Sequence, residues 1–437
     1  MQLTKIALKL TLIVAAAAGA AAAQTTLPQP KQDKLLNGLK ILMWPDGGAN
    51  AVTIKVRVHG GAAFDPQGKE GVMKLLAENI FPSDVARDYF REDLGGSLEI
   101  ETTYDYIEIT ATGRSDAFVT MLETLATAIA TPTIDKETTE KLKAKQLEKL
   151  KLLEANPSYV ADMAVAKRLF GTFPYGRPSN GTTASVNKIG FADIIEAKQR
   201  FLTSDNATVA LTGNFDRSLG QRALKRSFGA WLKADKLVPS TFTQPGDPDT
   251  KRTAVIMDGT GNSEMRYALR GLARNDRDYA ASEVLATIMS GKVQRLLNGR
   301  GNNSNCRSDA HVLPGSLVFG YSASPDGALV VAEPVAQTGQ APRPNGLPDN
   351  AASLLLSEPI TDAEFSDAKS VVLQNIGRRA VADWWLDADT FRSGSADDDL
   401  RGFQNLTLAD VQRTAGRLAK NPVVQISVTH RPAAPAN

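Results

Sequence analysis

Residues 69–81 carry the clearest helical pattern in the chain. The apolar side chains of this stretch recur at the i, i+3, i+4 and i+8 spacing of an amphipathic helix: Val72, Leu75, Leu76 and Ile80. The pattern predicts a helix over 69–81 that buries this stripe. Lys74, Ala77 and Glu78 lie on the neighbouring face of the same helix.

Segments on both sides of this helix have the period of strands. Residues 51–58 alternate apolar Val52, Ile54, Val56 and Val58 with polar side chains, which is typical of a half-buried strand. Residues 39–44, 97–102 and 106–112 are also strand-like. The pattern predicts antiparallel strands with one covered face.

Helical patterns dominate the remainder of the first half. They cover 115–130, 136–153, 160–169 and 193–201, and a strand follows at 207–212. The second half shows a weaker version of this plan. It has strands at 253–257 and 265–271, a helix at 276–289 and a long irregular stretch, followed by helices at 362–379 and 408–418 and a strand at 423–428. Strands followed by runs of helices favour an α+β fold of two α/β sandwich domains, each an antiparallel-rich sheet covered by helices.

Composition divides the chain into five segments. Residues 1–23 have Lys5 and Lys9, an apolar middle and a small-residue end, which predicts a cleaved signal peptide and export to the periplasm. We expect an N-terminal domain at 24–235, a Pro- and Asp-rich linker at 236–251, a C-terminal domain at 252–432 and a tail at 433–437. An uncleaved membrane anchor is the alternative for residues 1–23.

The charge balance argues against a nucleic-acid partner. The chain has 50 Lys and Arg against 48 Asp and Glu, and loss of Lys5 and Lys9 with the signal would equalise them. No basic field would remain to attract nucleic acid or acidic lipid. Cys306 is the one cysteine, so no internal disulfide can form.

The helix at 69–81 has the spacing of a zinc site but not its residues. In the motif H-x-x-E-H, two histidines hold the metal and the glutamate deprotonates the attacking water. Lys74, Ala77 and Glu78 stand at those three positions. A protonated lysine has no lone pair for zinc, and alanine cannot relay a proton. We therefore expect no catalytic residue and no metal in this chain.

Several stretches in order resemble the pitrilysin/insulinase zinc metallopeptidases, especially the branch of the mitochondrial processing peptidases. They are Asn37–Asp46, Gly68–Gly71, Tyr104–Thr112, Phe173–Pro178, Gly181–Thr182 and Asp205–Asp216. The resemblance implies two homologous domains arranged as a processing-peptidase-like half-clamshell, and the similar order of elements in the two halves agrees with a duplication.

The resemblance also implies positions for the remaining site residues. The third zinc ligand of the family would fall at Lys149, with Glu148 one residue off and hence turned by about 100°. A substrate-orienting arginine would be Arg295 or Arg300, of which Arg300 is the candidate peptide-binding residue. The tyrosine that should accompany it is absent, because Arg307 occupies its position.

Two interpretations of Lys74 stay open at this stage. Lys74 and Glu78 are i, i+4 partners and could form a solvated ion pair worth a few tenths of a kcal/mol. Alternatively, the Lys74 ammonium fills the vacated metal cavity and replaces the missing cation. The three histidines, His59, His311 and His430, are most simply surface or turn residues.

The function implied is that of a non-catalytic partner subunit. It would complete the peptide chamber of an active periplasmic homologue that carries H-x-x-E-H and the only zinc, and it would contact unstructured peptides. We expect no nucleic acid and no membrane insertion after signal cleavage. The alternatives are a stand-alone periplasmic polypeptide-binding or assembly-scaffold protein and, third, an active metallopeptidase with atypical ligands.

Overall fold

The computed structural model describes residues 26–234, 242–297, 303–324, 347 and 350–430. The predicted signal peptide, Arg300 and the predicted tail lie outside these residues, as does part of the predicted linker. Within the described parts of the chain, no helix combines the length and the apolar character that a membrane crossing requires.

The first half folds into a six-stranded sheet. Its strands are β1 (Lys31–Lys34), β2 (Lys40–Pro45), β3 (Ala51–Val58), β4 (Ser97–Thr102), β5 (Ile107–Arg114) and β6 (Ala207–Gly213). Their order across the sheet is β1-β2-β6-β3-β5-β4. All neighbours are antiparallel except β2 and β6, which are parallel.

Eight helices accompany this sheet among the described residues. They are α1 (Val72–Ile80), α2 (Asp84–Glu92), α3 (Phe118–Ala130), α4 (Lys136–Glu154), α5 (Pro157–Phe170), α6 (Thr183–Asn187), α7 (Phe191–Phe201) and α8 (Arg217–Phe228). The helix predicted over 69–81 is α1, and it begins later because Gly71 has a φ of 107°. A Cβ at Gly71 would also approach Val186 to 3.0 Å, so this tight start requires glycine.

The second half folds into a five-stranded sheet. Its strands are β7 (Thr253–Met257), β8 (Ser263–Arg270), β9 (Asn303–Asp309), β10 (Ser316–Ala323) and β11 (Val424–His430). The order is β7-β11-β8-β10-β9, and again one pair, β7 with β11, is parallel. The helices are α9 (Tyr279–Leu297), α10 (Ala351–Ser357), α11 (Asp362–Gly377), α12 (Val381–Phe391), α13 (Ala396–Gln404) and α14 (Leu408–Leu418).

The stretch expected to be irregular after the helix at 276–289 contains regular structure. The helix α9 extends to Leu297, and β9 and β10 follow it. Every side chain of β10 is buried, so no polar alternation marks the strand. The edge strand β9 is polar along most of its length, which hides it from a search for apolar periodicity.

The two sheets share one topology. In both, a parallel pair (β2 with β6, β7 with β11) is followed by three antiparallel strands, β3-β5-β4 in one half and β8-β10-β9 in the other. The α+β fold class with two sheets covered by helices is confirmed, and the repeated strand order agrees with the expected duplication.

One helix of each half packs on the outer face of the other half's sheet, so the halves exchange a helix. The helix α12 packs Ala382 and Leu386 against Leu42, Trp44 and Ala210 of the first sheet. The helix α5 packs on the second sheet, and its buried contacts form one cluster: Ala161, Val165, Leu169, Ala268, Val318, Val424, Ile426 and Val428. The prediction of sheets with only one covered face is therefore wrong, because it left out contacts between the halves.

Buried arginines fix both of these helices. Arg57 on β3, 2% exposed, lies 2.6 Å from Glu108 and 2.7 Å from Asp387 on α12. Arg266 on β8, also 2% exposed, lies 2.8 Å from both Glu264 and Asp162, the latter on α5. The halves are thus joined by two similar ion-pair clusters, one on each sheet.

Candidate functional site

The helix α1 is held in place from its first residue. The buried carboxylate of Asp65 accepts hydrogen bonds from the backbone N–H groups of Gly71 (2.7 Å) and Met73 (2.8 Å). These bonds satisfy amides that would otherwise lack partners at the helix N-terminus. Burial raises the pKa of Asp65 to about 7, although both backbone bonds and Arg177 act in the opposite direction.

The far end of α1 is tied to α4. Asn79 donates to the carbonyl oxygen of Leu75 at 2.8 Å and accepts from the hydroxyl of Thr139 on α4 at 3.0 Å. All of the predicted apolar stripe is buried, with Val72, Leu75, Leu76 and Ile80 each at most 4% exposed. The helix is therefore a rigid base for the three side chains at the zinc-motif positions.

Two of those three positions form an ion pair with each other instead of a set of zinc ligands. The Nζ of Lys74 lies 2.7 Å from Oε1 of Glu78, and Ala77 between them is fully buried. Only 11% of the Lys74 side chain is exposed, against 26% for Glu78. Since Lys74 is nearly buried, the interpretation as a freely solvated ion pair is wrong.

Further charges surround this pair. Arg87 on α2 approaches the second carboxylate oxygen of Glu78 to 3.6 Å. Glu101 on β4 lies close enough for Lys74 to act on it electrostatically. Burial raises the pKa of Glu101, and nearby Glu108 adds to that shift, while Lys74 is one of the cations that counteract it. Lys74 is thus paired with one carboxylate, Glu78, and acts electrostatically on a second, Glu101.

The third-ligand region of α4 offers no zinc ligand. Lys149 is exposed, and Glu148 is 71% exposed and pairs with Lys151 at 2.7 Å. Across the described ranges, no group of three His, Cys, Asp or Glu side chains is placed to hold a metal ion. Zinc therefore does not fit the side chains of α1 and α4, and no step of a metal-dependent reaction follows from them.

The second half does not supply the substrate-orienting pair at described positions. Arg295 is ion-paired with Glu364. Arg307 lies 2.9 Å from Asp309, and Tyr321 on β10 is 1% exposed within the core of its own half. Arg300 stays a prediction, because it falls between the described residues 297 and 303.

Two histidines lie between the halves, which corrects their interpretation as surface or turn residues. The His59 ring contacts Thr208 (2.9 Å) and Asp389 of α12 (3.2 Å). His311 lies 2.9 Å from Asp105 and packs against Tyr175, with 4.3 Å between ring centroids and 35° between ring planes. A histidine next to glycines or in an irregular segment gives no sequence signal for such contacts.

Two models of one peptidase family match most of the chain. Insulinase (peptidase family M16) matches residues 41–183, and the peptidase M16 inactive domain matches residues 188–340. The chain belongs to the insulinase family. This insulinase-family chain is 21% identical over 300 residues to an uncharacterized zinc protease of Streptomyces coelicolor, a match that covers 66% of this chain but only 63% of the relative.

Solved structures share the fold of this insulinase-family chain. A protease from Helicobacter pylori has a TM-score of 0.81 at 15% identity, over 92% of this chain and 100% of that one. A peptidase M16 inactive domain from Pseudomonas fluorescens has a TM-score of 0.77 at 19% identity, over 93% and 99%. A periplasmic protease of Escherichia coli has a TM-score of 0.66 at 15% identity, over 93% of this chain and 48% of that one. The fold is that of a peptidase.

Proposed function

We propose that this chain is a non-catalytic partner subunit that completes the peptide chamber of an active, zinc-bearing homologue. The observation that carries the proposal is the Lys74–Glu78 ion pair at 2.7 Å, with Ala77 where a general base would stand. The helix keeps its place in the fold, but protonated Lys74 cannot bind zinc and Ala77 cannot activate water.

The length of one relative supports a second chain. The periplasmic protease of Escherichia coli is matched over only 48% of its length, so it contains about as much chain again. A chamber that excludes water and folded proteins needs walls on all sides. We infer that a second polypeptide supplies here what one longer chain supplies there.

An open sheet edge gives the chamber a place for peptides. Within the described residues, β4 pairs only with β5, so its other edge has unpaired backbone groups. The helix α1 packs beside β4, and Glu101 of this strand lies near Lys74. An unstructured peptide would add to β4 as a further strand, held mainly by main-chain hydrogen bonds.

The periplasm is the proposed location. The predicted signal peptide at 1–23 and a periplasmic relative of the same fold both support it. Zinc would reside only in the partner subunit, and the contact with that subunit would run through edges and loops of the second half. The loops proposed for this contact, 298–305 and 332–350, lie largely outside the described residues. The edge strand β7 is the described part of the proposed contact, and its Ile256 is 63% exposed.

The purified mature protein should contain no stoichiometric zinc and should not cleave unstructured peptides. The reason is the residue type: two of the three ligand positions, Lys74 and Lys149, carry ammonium groups without a lone pair, and Ala77 cannot act as a general base. Elemental analysis after dialysis and a fluorogenic peptide assay measure both quantities. One tightly bound zinc per chain with chelator-sensitive hydrolysis would favour an active metallopeptidase with atypical ligands.

The protein should co-purify with an H-x-x-E-H homologue from the same periplasm and raise its peptidase activity. Ile256→Lys should weaken the complex by about tenfold, because a lysine would replace an apolar edge contact. Val371→Lys on α11 is the matched control, since Val371 is 47% exposed in the same half.

A stand-alone polypeptide-binding scaffold is the second candidate. It is favoured by the exchange of α5 and α12, which already joins the two halves without another chain. If the homologue is fully active alone and the two proteins elute separately at micromolar concentration, the scaffold replaces the partner subunit.

A further inference from the structure

A polar cavity of about 560 Å³ lies where the junction of α4 and α5 meets the second sheet. The first half contributes Ala155 to Ser158 to its wall. The second half contributes Glu264, Asn305, Ser322 and His430. This cavity is separate from the Lys74–Glu78 pair, and none of the family's site positions lines it.

Three acceptor atoms of this cavity are buried without a hydrogen-bond partner: Oε2 of Glu264, Oδ1 of Asn305 and Nδ1 of His430. Glu264 is 3% exposed. Its Oε2 lies 2.8 Å from Nη1 of Arg266, so the carboxylate is ion-paired with a guanidinium that also lines the cavity. The buried oxygens of Glu264 and Asn305 could accept from a donor group bound in the cavity, as could Nδ1 of His430 in the tautomer in which it carries no proton.

Two side chains of the cavity wall are engaged in other contacts. Asn156 caps α5 by accepting from the N–H groups of Ser158 (2.9 Å) and Tyr159 (3.3 Å). Arg266 donates to Asp162 (2.8 Å), to the Ser158 hydroxyl (2.7 Å) and to the carbonyl oxygens of Met265 and Tyr321. An anion would therefore meet an arginine that is already engaged and the opposing carboxylate of Glu264.

We propose that this cavity binds a primary ammonium group, such as the side chain of a lysine in a peptide or a free alkylamine. An ammonium group has three N–H donors and no acceptor, which complements the three unpartnered atoms. The Glu264 carboxylate provides the opposite charge. Burial raises the pKa of Glu264 and Arg266 acts in the opposite direction, and a bound ammonium group would act together with Arg266.

Two glycines make room for the site. A Cβ at Gly261 would come within 2.8 Å of the His430 ring, so only glycine lets this turn approach the imidazole. Gly320 lies directly between Arg266 and Asn305 in one cross-strand row. A Cβ there would approach the Met265 carbonyl oxygen to 2.0 Å. Of the two, Gly261 lines the cavity, and the absence of a side chain there leaves space beside the His430 ring.

Calorimetry on the full mature protein tests the site with two amine probes. One is n-butylamine, and the other is an alanine peptide with blocked ends and one central lysine. We expect both to bind, and the same peptide with norleucine in place of lysine to bind at least about tenfold more weakly, because it lacks the charged donor. Tighter binding of the peptide would assign the site to lysine side chains, and tighter binding of butylamine to free amines.

Substitutions separate the proposed site from general charge attraction. Asn305→Asp on the edge strand β9 should tighten amine binding about tenfold, and Glu264→Gln should weaken it about tenfold. Glu140→Gln, an exposed carboxylate on α4, should change nothing. Absence of binding by both amines, or affinities unchanged by both cavity variants, would overturn the proposal. Zinc binding that depends on Glu264 without amine binding would assign the acceptors to a metal instead.

Discussion

Replacing Arg57 with methionine should lower the free energy of unfolding by about 3–5 kcal/mol at pH 7. The guanidinium lies between Glu108 (2.6 Å) and Asp387 (2.7 Å), and its side chain is only 3% exposed. Methionine keeps much of the volume but leaves two buried carboxylates without this cation. Urea unfolding followed by tryptophan fluorescence measures the loss. Arg91→Met is the control, because Arg91 is 62% exposed and should cost less than about 1 kcal/mol.

The pH dependence distinguishes an electrostatic loss from a packing defect. Burial alone would raise the pKa values of Glu108 and Asp387, but neighbouring cations keep both below their ordinary values. Such groups stabilise the fold above about pH 4 and lose this contribution as the pH falls through their folded pKa. Without Arg57 the carboxylates can be protonated in mild acid, so the deficit of Arg57→Met should fall to less than half near pH 4. An equal deficit at both pH values would indicate a packing defect.

The sequence predicts local elements well where one face is buried. The stripe of α1 and the alternation of β3 both place apolar side chains in the core at regular spacing, so periodicity alone is sufficient. It fails for β10, whose two faces are both buried, and for the polar edge strand β9. Periodicity reports the burial of a single face, and these strands do not have that arrangement.

Contacts between the halves were not predictable from periodicity. Arg57 stands at a polar position of an alternating strand, where the pattern predicts solvent, yet α12 covers it. Its partner Asp387 lies 330 residues away in sequence. A single sequence contains no signal that pairs residues at such a distance. The covering of the second face of each sheet is therefore known from the structure and not from the sequence.

The candidate site was easier to predict than its environment. Motif spacing placed Lys74, Ala77 and Glu78 on one helix, and residue type alone excludes a zinc ligand set. The burial of Lys74 could not be predicted from the motif spacing. It depends on the neighbouring elements α2 and β4, which contribute Arg87 and Glu101. The nearly buried ammonium paired with Glu78 supports the interpretation in which Lys74 replaces a missing cation.

Restoring the zinc motif should require four substitutions, not three. The variant Lys74→His, Ala77→Glu and Glu78→His supplies two ligands and a general base on the rigid helix α1. A zinc site with two protein ligands should hold the metal at least about 100-fold more weakly than one with three. We therefore expect this triple variant to lose zinc on dialysis and to show no peptidase activity.

Adding Lys149→Glu should give close to one zinc per chain after the same dialysis, measured by elemental analysis and chelator titration. Glu148 is intact in the triple variant, so that variant also tests whether the residue one position away can serve as the ligand. Stoichiometric zinc in the triple variant would show that Glu148 turns inward from its pairing with Lys151. Failure of the quadruple variant, with the fold intact by circular dichroism, would show that the exposed position 149 does not face α1. Zinc retained by the quadruple variant alone would mean that this chain kept the geometry of the metal site and lost only its ligands.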